Sequence, residues 1–484
     1  MNYKAVFSFL GKTLIIEAIL LVFPLLVGII YQENNFLAFL VPIILLLAVG
    51  FSLSSVKPKE KTLYAKEGFV IVALSWILLS LFGCLPFVIS KSIPNFLNAF
   101  FETVSGFSTT GATILTATEI ESLDKALTFW RIFTHWIGGM GILVFSLAIM
   151  PSNNAGIIHV FKNESTGPSA SKITNKLKFT ARILYGIYVA LTLIEFVLLL
   201  CGGLNAFDSL LLSFSTAGTG GFGVLGDSAI SYTSYIQIIL TIFMFLFSLN
   251  FNVFYLILIG SVTKIFAIEE VKAFIIVLLS STIVIALNIF FATDGIYKNF
   301  GEALKHAVFQ VVSISSTTGL VSTNYDLWPT LSKVILMALS IIGACGGSTS
   351  GGIKVSRALI LLKSTSADFK KLLHPNAVIH SKLDGKAVEH SVVHVTRTFF
   401  ITWVLTVIVS TLLLSFDSTD IFTNFSASIA CIGNVGPGFG VIGAVGDYTV
   451  FSQFSKVVLS IVMLIGRLEI FPILILFAPR TWQK

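Results

Sequence analysis

The sequence predicts an all-α polytopic membrane protein: four parallel helix–pore-loop–helix repeats around one central pore, preceded by two extra N-terminal transmembrane helices. Three observations carry this. The 484 residues are only 11% charged, with a mean hydropathy of +0.93, whereas soluble chains carry roughly 25% charged residues. That leaves too little polar surface to face water all round. Apolar runs recur along the whole chain at the roughly 20-residue length that spans ~30 Å of hydrocarbon as a helix. A short polar, glycine-bearing strip also returns four times, each time after an apolar segment of about half that length.

The strips read Ser-Gly-Phe-Ser-Thr-Thr-Gly-Ala-Thr at 105–113, Thr-Ala-Gly-Thr-Gly-Gly-Phe-Gly at 216–223, Ser-Ser-Thr-Thr-Gly-Leu at 315–320 and Gly-Asn-Val-Gly-Pro-Gly-Phe-Gly at 433–440. Superposing Gly111, Gly220, Gly319 and Gly436 gives a period near one hundred residues. That is long for a solenoid and right for a repeated membrane module.

Taken in order, the chain opens with apolar runs at 7–31 and 36–56, joined by a turn holding Glu33, Asn34 and Asn35. The first run reads as a span: it is too long for a cleavable signal, lacks a small-residue cleavage site and leads straight into a second span. A basic loop at 57–66 follows. Four units come next, each an outer helix, a half-helix, a strip and an inner helix. The first places these at 68–90, 94–107, 108–113 and 126–150. The second places them at 179–201, 205–216, 217–223 and 234–262. In the third they fall at 271–292, 301–315, 316–321 and 329–364, and in the fourth at 391–416, 419–432, 433–440 and 451–478. The corresponding divisions are 1–65, 66–160, 161–268, 269–375 and 376–484, giving ten full spans and four half-spans.

The net charge of +7 sets topology and is no nucleic-acid patch. Basic residues gather at 57–66, 162–178, 264–272 and 357–386, with Arg480 and Lys484 at the end. The opposite loops hold Glu119, Glu121, Asp227, Asp326, Asp417, Asp420 and Asp447. The positive-inside rule then puts both termini in the cytoplasm and all four strips on the outer side. Because every unit contains two full spans, the repeats are parallel rather than inverted. Cys84, Cys201, Cys345 and Cys431 have no metal-ligand spacing and read as small buried hydrophobes.

A half-helix cannot cross the bilayer, so its chain enters and leaves on one face. Irregular backbone at that depth survives only if protein shields it or it lines a watery path. Four matched strips therefore converge on one axis and present backbone carbonyls to it. A four-fold carbonyl ring that replaces an ion's hydration shell is the physics of a potassium filter. Glycine supplies positive φ there and lets four backbones crowd together.

The inner helix of the third unit is interrupted by Gly-Ala-Cys-Gly-Gly-Ser-Thr-Ser-Gly-Gly at 343–352. A mid-helix glycine costs about 1 kcal/mol against alanine, so this segment is expected to be an unwound loop lining the cavity. A packing kink is the alternative. A phosphate cradle is disfavoured, because the Gly-Lys-Ser/Thr ending is missing. Arg467 lies deep in an apolar helix, where a charge must face a watery cavity and a partner. It reads either as a positive barrier to cations below the strips or as a structural ion pair, most simply with Glu469 or a neighbouring repeat; a guanidinium hydrogen-bonded to Ser348, Thr349 or Ser350 would do both. Glu102, Glu195, His135, His306 and Asp208 read as interhelical hydrogen-bonding groups or, in a transporter, as proton relays. Asp227 and Asp447 sit where they would concentrate cations at the outer mouth. No catalytic motif stands out, so the chain is read as no enzyme.

With these residues in hand, the chain resembles the Trk/Ktr/HKT family of potassium transport proteins, in its TrkH-like branch, over essentially its full length. The strips carry the resemblance, together with Gly-Gly-Ser-Thr-Ser-Gly-Gly-Ile-Lys-Val at 346–355 and Gly-Arg-Leu-Glu-Ile-Phe at 466–471. The two extra N-terminal helices also resemble that branch and are absent from the shorter KtrB branch. The resemblance implies a K+ filter made by Thr109, Thr110 and Gly111, by Thr219 and Gly220, by Thr317, Thr318 and Gly319, and by Asn434, Val435 and Gly436. In plant relatives a serine at the first glycine goes with sodium permeability, so Gly111 implies a preference for potassium. The resemblance makes Gly346, Gly347, Ser348, Thr349, Ser350, Gly351 and Gly352 the gating loop, acting with Arg467. It implies potassium uptake across the bacterial cytoplasmic (inner) membrane as a gated pore, with a symporter coupled to H+ or Na+ as the alternative. It also implies a homodimer and a TrkA-like cytoplasmic regulatory partner that binds the nucleotide (ATP/ADP or NAD). The basic loops 162–178 and 357–386 are the implied docking sites. The chain itself would hold no cofactor except K+.

Overall fold

The computed structural model describes residues 1–56, 64–141, 177–292, 297–377 and 380–482. Six described helices are long and apolar enough to cross a membrane: Tyr3–Ile30, Phe36–Ser54, Lys66–Ile89, Ala181–Cys201, Glu269–Ala292 and His390–Leu414. These are the two N-terminal spans and the four outer helices. Their apolar side chains face outward in large numbers, as a lipid-facing ring requires, while the buried apolar residues concentrate on the inner elements. The fold is a polytopic helical membrane protein.

The half-helices run Phe96–Phe107, Ala206–Ala217, Phe300–Ser315 and Ile421–Gly433. Each begins the same way. Asn95, Asn205, Asn299 and Asp420 cap them, each side chain accepting a hydrogen bond from a backbone N–H of the first turn. Such a cap satisfies donors that the helix leaves open, for about 1 kcal/mol.

The inner helices correct the expectation of unbroken spans in units one, two and four. Lys125–Gly139 ends at Met140, and the rest of the predicted helix, 142–150, lies outside the described residues. Ser234–Ser248 bends by 91° into Phe251–Leu258. Gln453–Arg467 and Phe471–Phe477 flank a break where Glu469 and Ile470 take φ of 54° and 71°. The third, Thr330–Ile342, gives way to the expected loop and resumes as Val355–Leu373. The physical reason is tertiary. Three of these segments meet the carbonyl ends of half-helices at their breaks. A Cβ on Gly138 would fall 1.9 Å from the Phe107 carbonyl oxygen, one on Gly466 2.2 Å from that of Ile432, and one on Gly351 2.2 Å from that of Gly433.

The N-terminal pair is joined by a close helix crossing, where Gly11 and Gly50 admit each other's backbone. Its turn docks on unit one. The Glu33 carboxylate accepts from the backbone N–H groups of Lys125 and Ala126, placing a negative charge at a helix N-terminus.

Candidate functional site

All four half-helices end in one motif. The N–H groups of Thr110, Gly220, Thr318 and Val435 reach back to the carbonyls of Ser105, Ser215, Ser313 and Ala430 at 2.9–3.0 Å. The residue before each of these takes a left-handed conformation: Thr109 (φ 54°), Thr219 (51°), Thr317 (59°) and Asn434 (53°). This is a Schellman cap, usually built on glycine. Threonine there is a genuine outlier, costing on the order of 1–3 kcal/mol, and such strain gathers at functional sites.

Two residues further on, each strip has a glycine at positive φ: Gly111 (81°), Gly221 (83°), Gly319 (77°) and Gly436 (90°). The expected register is therefore corrected in the second strip, where Gly221 rather than Gly220 matches Gly111. Gly220 instead matches Thr110, Thr318 and Val435. The two glycines are adjacent and identical in type, so backbone conformation and not composition separates them.

The strips close into a ring. A Cβ on Gly111 would fall 2.1 Å from the Gly220 carbonyl oxygen, on Gly221 2.0 Å from that of Thr318, on Gly319 2.1 Å from that of Val435, and on Gly436 2.4 Å from that of Thr110. Each strip thus abuts the next, and the fourth returns to the first. Side chains reinforce the ring. Asn434 Nδ2 donates to Thr110 Oγ1 (3.0 Å) and to the Met463 carbonyl (3.0 Å). Tyr448 and Tyr325 hydroxyls donate to the carbonyls of Gly436 (2.7 Å) and Gly438 (2.9 Å).

A cavity of about 80 Å³ is lined by the four positive-φ glycines, with Arg131 and Asp447 at its wall. Asp227 holds Ser231 and is absent from that lining. Asp326, in the segment between the third strip and inner helix three, accepts from the N–H groups of Gly440 (3.3 Å) and Ala444 (3.0 Å). Burial pushes its carboxyl above the usual range, against those bonds. Glu102 is buried and paired with Arg131 Nε at 2.7 Å. It also accepts from Thr113 Oγ1 (2.9 Å) and Ile114 N (2.9 Å), just beyond the first strip. The Arg131 guanidinium lies 3.6 Å from the Phe222 ring centroid in the second strip. His306 Nδ1 lies 3.0 Å from Ser322 Oγ, and Asp208 accepts from Asn205 at the start of its half-helix. Glu195 is fully buried in an outer helix.

Beneath the ring lies the loop of unit three. Gly343, Gly347 and Gly352 hold positive φ, so this backbone is no helix. The Gly351 N–H donates to Thr317 Oγ1 at 2.7 Å, tying the loop to the third strip. Ser348 and Ser350 hydroxyls pair at 2.7 Å, and Thr349 Oγ1 donates to the Phe247 carbonyl. The Gly347 carbonyl accepts from Phe251 N at the bend of inner helix two.

Arg467 ends the first segment of inner helix four. It donates to the Thr349 carbonyl (2.8 Å) and, across the molecule, to the carbonyls of Gly138 and Gly139. One guanidinium therefore joins the broken inner helices of units one, three and four. Glu469, the anticipated structural partner of Arg467, forms an ion pair with Arg357.

Two residues of this site were missed in the sequence. Lys354 Nζ donates to the Ser350 carbonyl and hydroxyl, adding a second cation to the loop. Glu270 Oε1 accepts from Gly346 N (2.6 Å) and Ser356 N (3.1 Å), stapling the two ends of the loop together. Lys354 sat inside the quoted loop motif, whereas Glu270 had no local signal.

Comparison with known proteins follows the same lines. Residues 32–484 match the family model for TrkH, described as cation transport protein. The chain is 35% identical to the Trk system potassium uptake protein TrkH of Escherichia coli (strain K12), with both chains covered completely. It is 30% identical to the Trk system potassium uptake protein TrkG of the same organism, over 95% of each. The crystal structure of the potassium transporter TrkH from Vibrio parahaemolyticus superposes with a TM-score of 0.89 at 32% identity, covering 100% of both chains. A family match over most of the sequence, full-length relatives and a shared fold agree: this chain belongs to the TrkH family of cation transport proteins.

Proposed function

We propose that this chain is the ion-conducting, gated pore subunit of a potassium-uptake system in the bacterial cytoplasmic membrane. The closed ring of four strips is the observation that carries the reading. A K+ ion entering from the outer cavity exchanges water for the carbonyls of Thr110, Gly220, Thr318 and Val435, aided by the negative ends of four half-helices. Gly346–Gly347–Ser348–Thr349–Ser350–Gly351–Gly352 and Arg467 close the path below. The names of the relatives, all potassium transporters, support potassium as the ion.

Both termini and the basic segments are cytoplasmic in this reading, by the charge asymmetry of the loops. A TrkA-like, nucleotide-binding regulatory subunit docks on 162–178 and 357–386; residues 162–176 of the first of these lie outside the described residues. Two copies form a homodimer, with one pore in each.

The test is cation flux through the purified chain in liposomes, with the proton and sodium gradients collapsed. Rubidium or potassium uptake that persists under those conditions, with sodium excluded, is the expected result. Uptake that stops with the proton or sodium gradient would instead establish coupled symport, and a chain that carries neither rubidium nor potassium would remove the reading.

A further inference from the structure

The four strips are not chemically equal, and the inequality has a structural cause. Behind the first strip, Ser108 and Thr110 hydroxyls pair at 2.7 Å; behind the third, Ser316 and Thr318 pair at 2.8 Å. The matching positions in the second strip are Gly218 and Gly220, which have no side chain. Their place is taken by His135, which comes from inner helix one and is completely buried.

A Cβ on Gly220 would fall 2.2–2.5 Å from three atoms of the imidazole ring, and one on Gly218 2.3 Å from the His135 carbonyl oxygen. The Phe222 N–H donates to His135 Nε2 at 3.3 Å, so Nε2 carries the lone pair. Nδ1 therefore carries the proton and donates to the Gly106 carbonyl at 2.8 Å. One neutral ring thus bonds half-helix one on one side and the second strip on the other. One helical turn earlier, Arg131 makes a parallel link, from Glu102 to the Gly223 carbonyl (3.3 Å).

We infer that His135 is a specificity-determining positioning residue of the filter, its imidazole standing in for the hydroxyl pair that supports strips one and three. It holds the Gly220 carbonyl at the level of the Thr110 and Thr318 carbonyls. It rests on the pore reading above.

The ratio of potassium to sodium permeability in liposomes tests it. His135→Ala leaves a void behind the second strip, and Gly220→Thr drives a side chain into the ring. Each alone is expected to lower the ratio by roughly tenfold, the scale of one lost buried hydrogen bond. Combined, the new threonine occupies the vacated space, and the ratio is expected to return to within roughly threefold of the unaltered chain. His135→Asn, which keeps a donor for Gly106 and leaves the Phe222 N–H without an acceptor, covers the case in which His135→Ala fails to fold. It too should lose discrimination while eluting as a monodisperse protein. An unchanged ratio in folded His135→Ala or His135→Asn protein would overturn the inference, as would a double variant no better than its parents. An unaltered chain that conducts no potassium would instead defeat the pore reading, so the two failures are distinguishable.

Discussion

Replacing Arg467 by alanine is expected to raise potassium flux through the chain by roughly tenfold or more. The guanidinium donates to carbonyls of Thr349, Gly138 and Gly139, and hydrogen bonds from a charged group contribute about 1.5–3 kcal/mol each. Losing even one corresponds to about a tenfold change in an open–closed equilibrium. The substitution also removes a fixed positive charge from the path of a cation. Arg467→Lys, which keeps the charge and loses the forked donors, is expected to fall between the two. Rubidium uptake into liposomes is the readout, with size-exclusion behaviour as the check on folding. Flux that is unchanged or reduced in folded Arg467→Ala protein would remove Arg467 from the gate.

Gly111→Ser is expected to collapse discrimination between potassium and sodium, lowering the permeability ratio by at least roughly tenfold. Two costs combine. At φ 81° a residue with a Cβ is strained by about 1–2 kcal/mol. The new atom also lands 2.1 Å from the Gly220 carbonyl oxygen, which must move. A ring carbonyl displaced by an ångström no longer matches the hydration shell it replaces. Permeability measured from reversal potentials under paired potassium and sodium gradients checks this. A ratio that survives the substitution would separate Gly111 from the selective step.

The two outcomes bear on different parts of the site, and those parts differ in how far local sequence exposes them. The half-helices were legible because each is an apolar run too short to span, followed by a polar, glycine-bearing strip; their Asn and Asp caps emerged only with the structure. The third inner-helix break was legible because glycine is dense at 343–352. The breaks at Leu249–Asn250 and at 468–470 were not. Neither contains glycine or proline, and what interrupts the helix is packing against distant backbone. The threonines at positive φ were also hidden, since threonine is a poor choice for that conformation on local grounds. Glu270 serves the loop from 76 residues away, a distance at which no spacing rule operates. At the glycine pair 220–221 the sequence alone places the filter glycine at Gly220. The two members have separate duties: Gly221 supplies the backbone turn, and Gly220 makes room for His135.

Four strips from one chain are proposed to form a single cation-binding ring. Anomalous diffraction from crystals grown in rubidium tests it most directly. The expected result is a rubidium peak between the four strips, enclosed by the carbonyls of Thr110, Gly220, Thr318 and Val435, and lost in Gly111→Ser crystals. A rubidium peak found only elsewhere, such as beside Asp447 or Glu195, with the axis between the four strips empty, would contradict it.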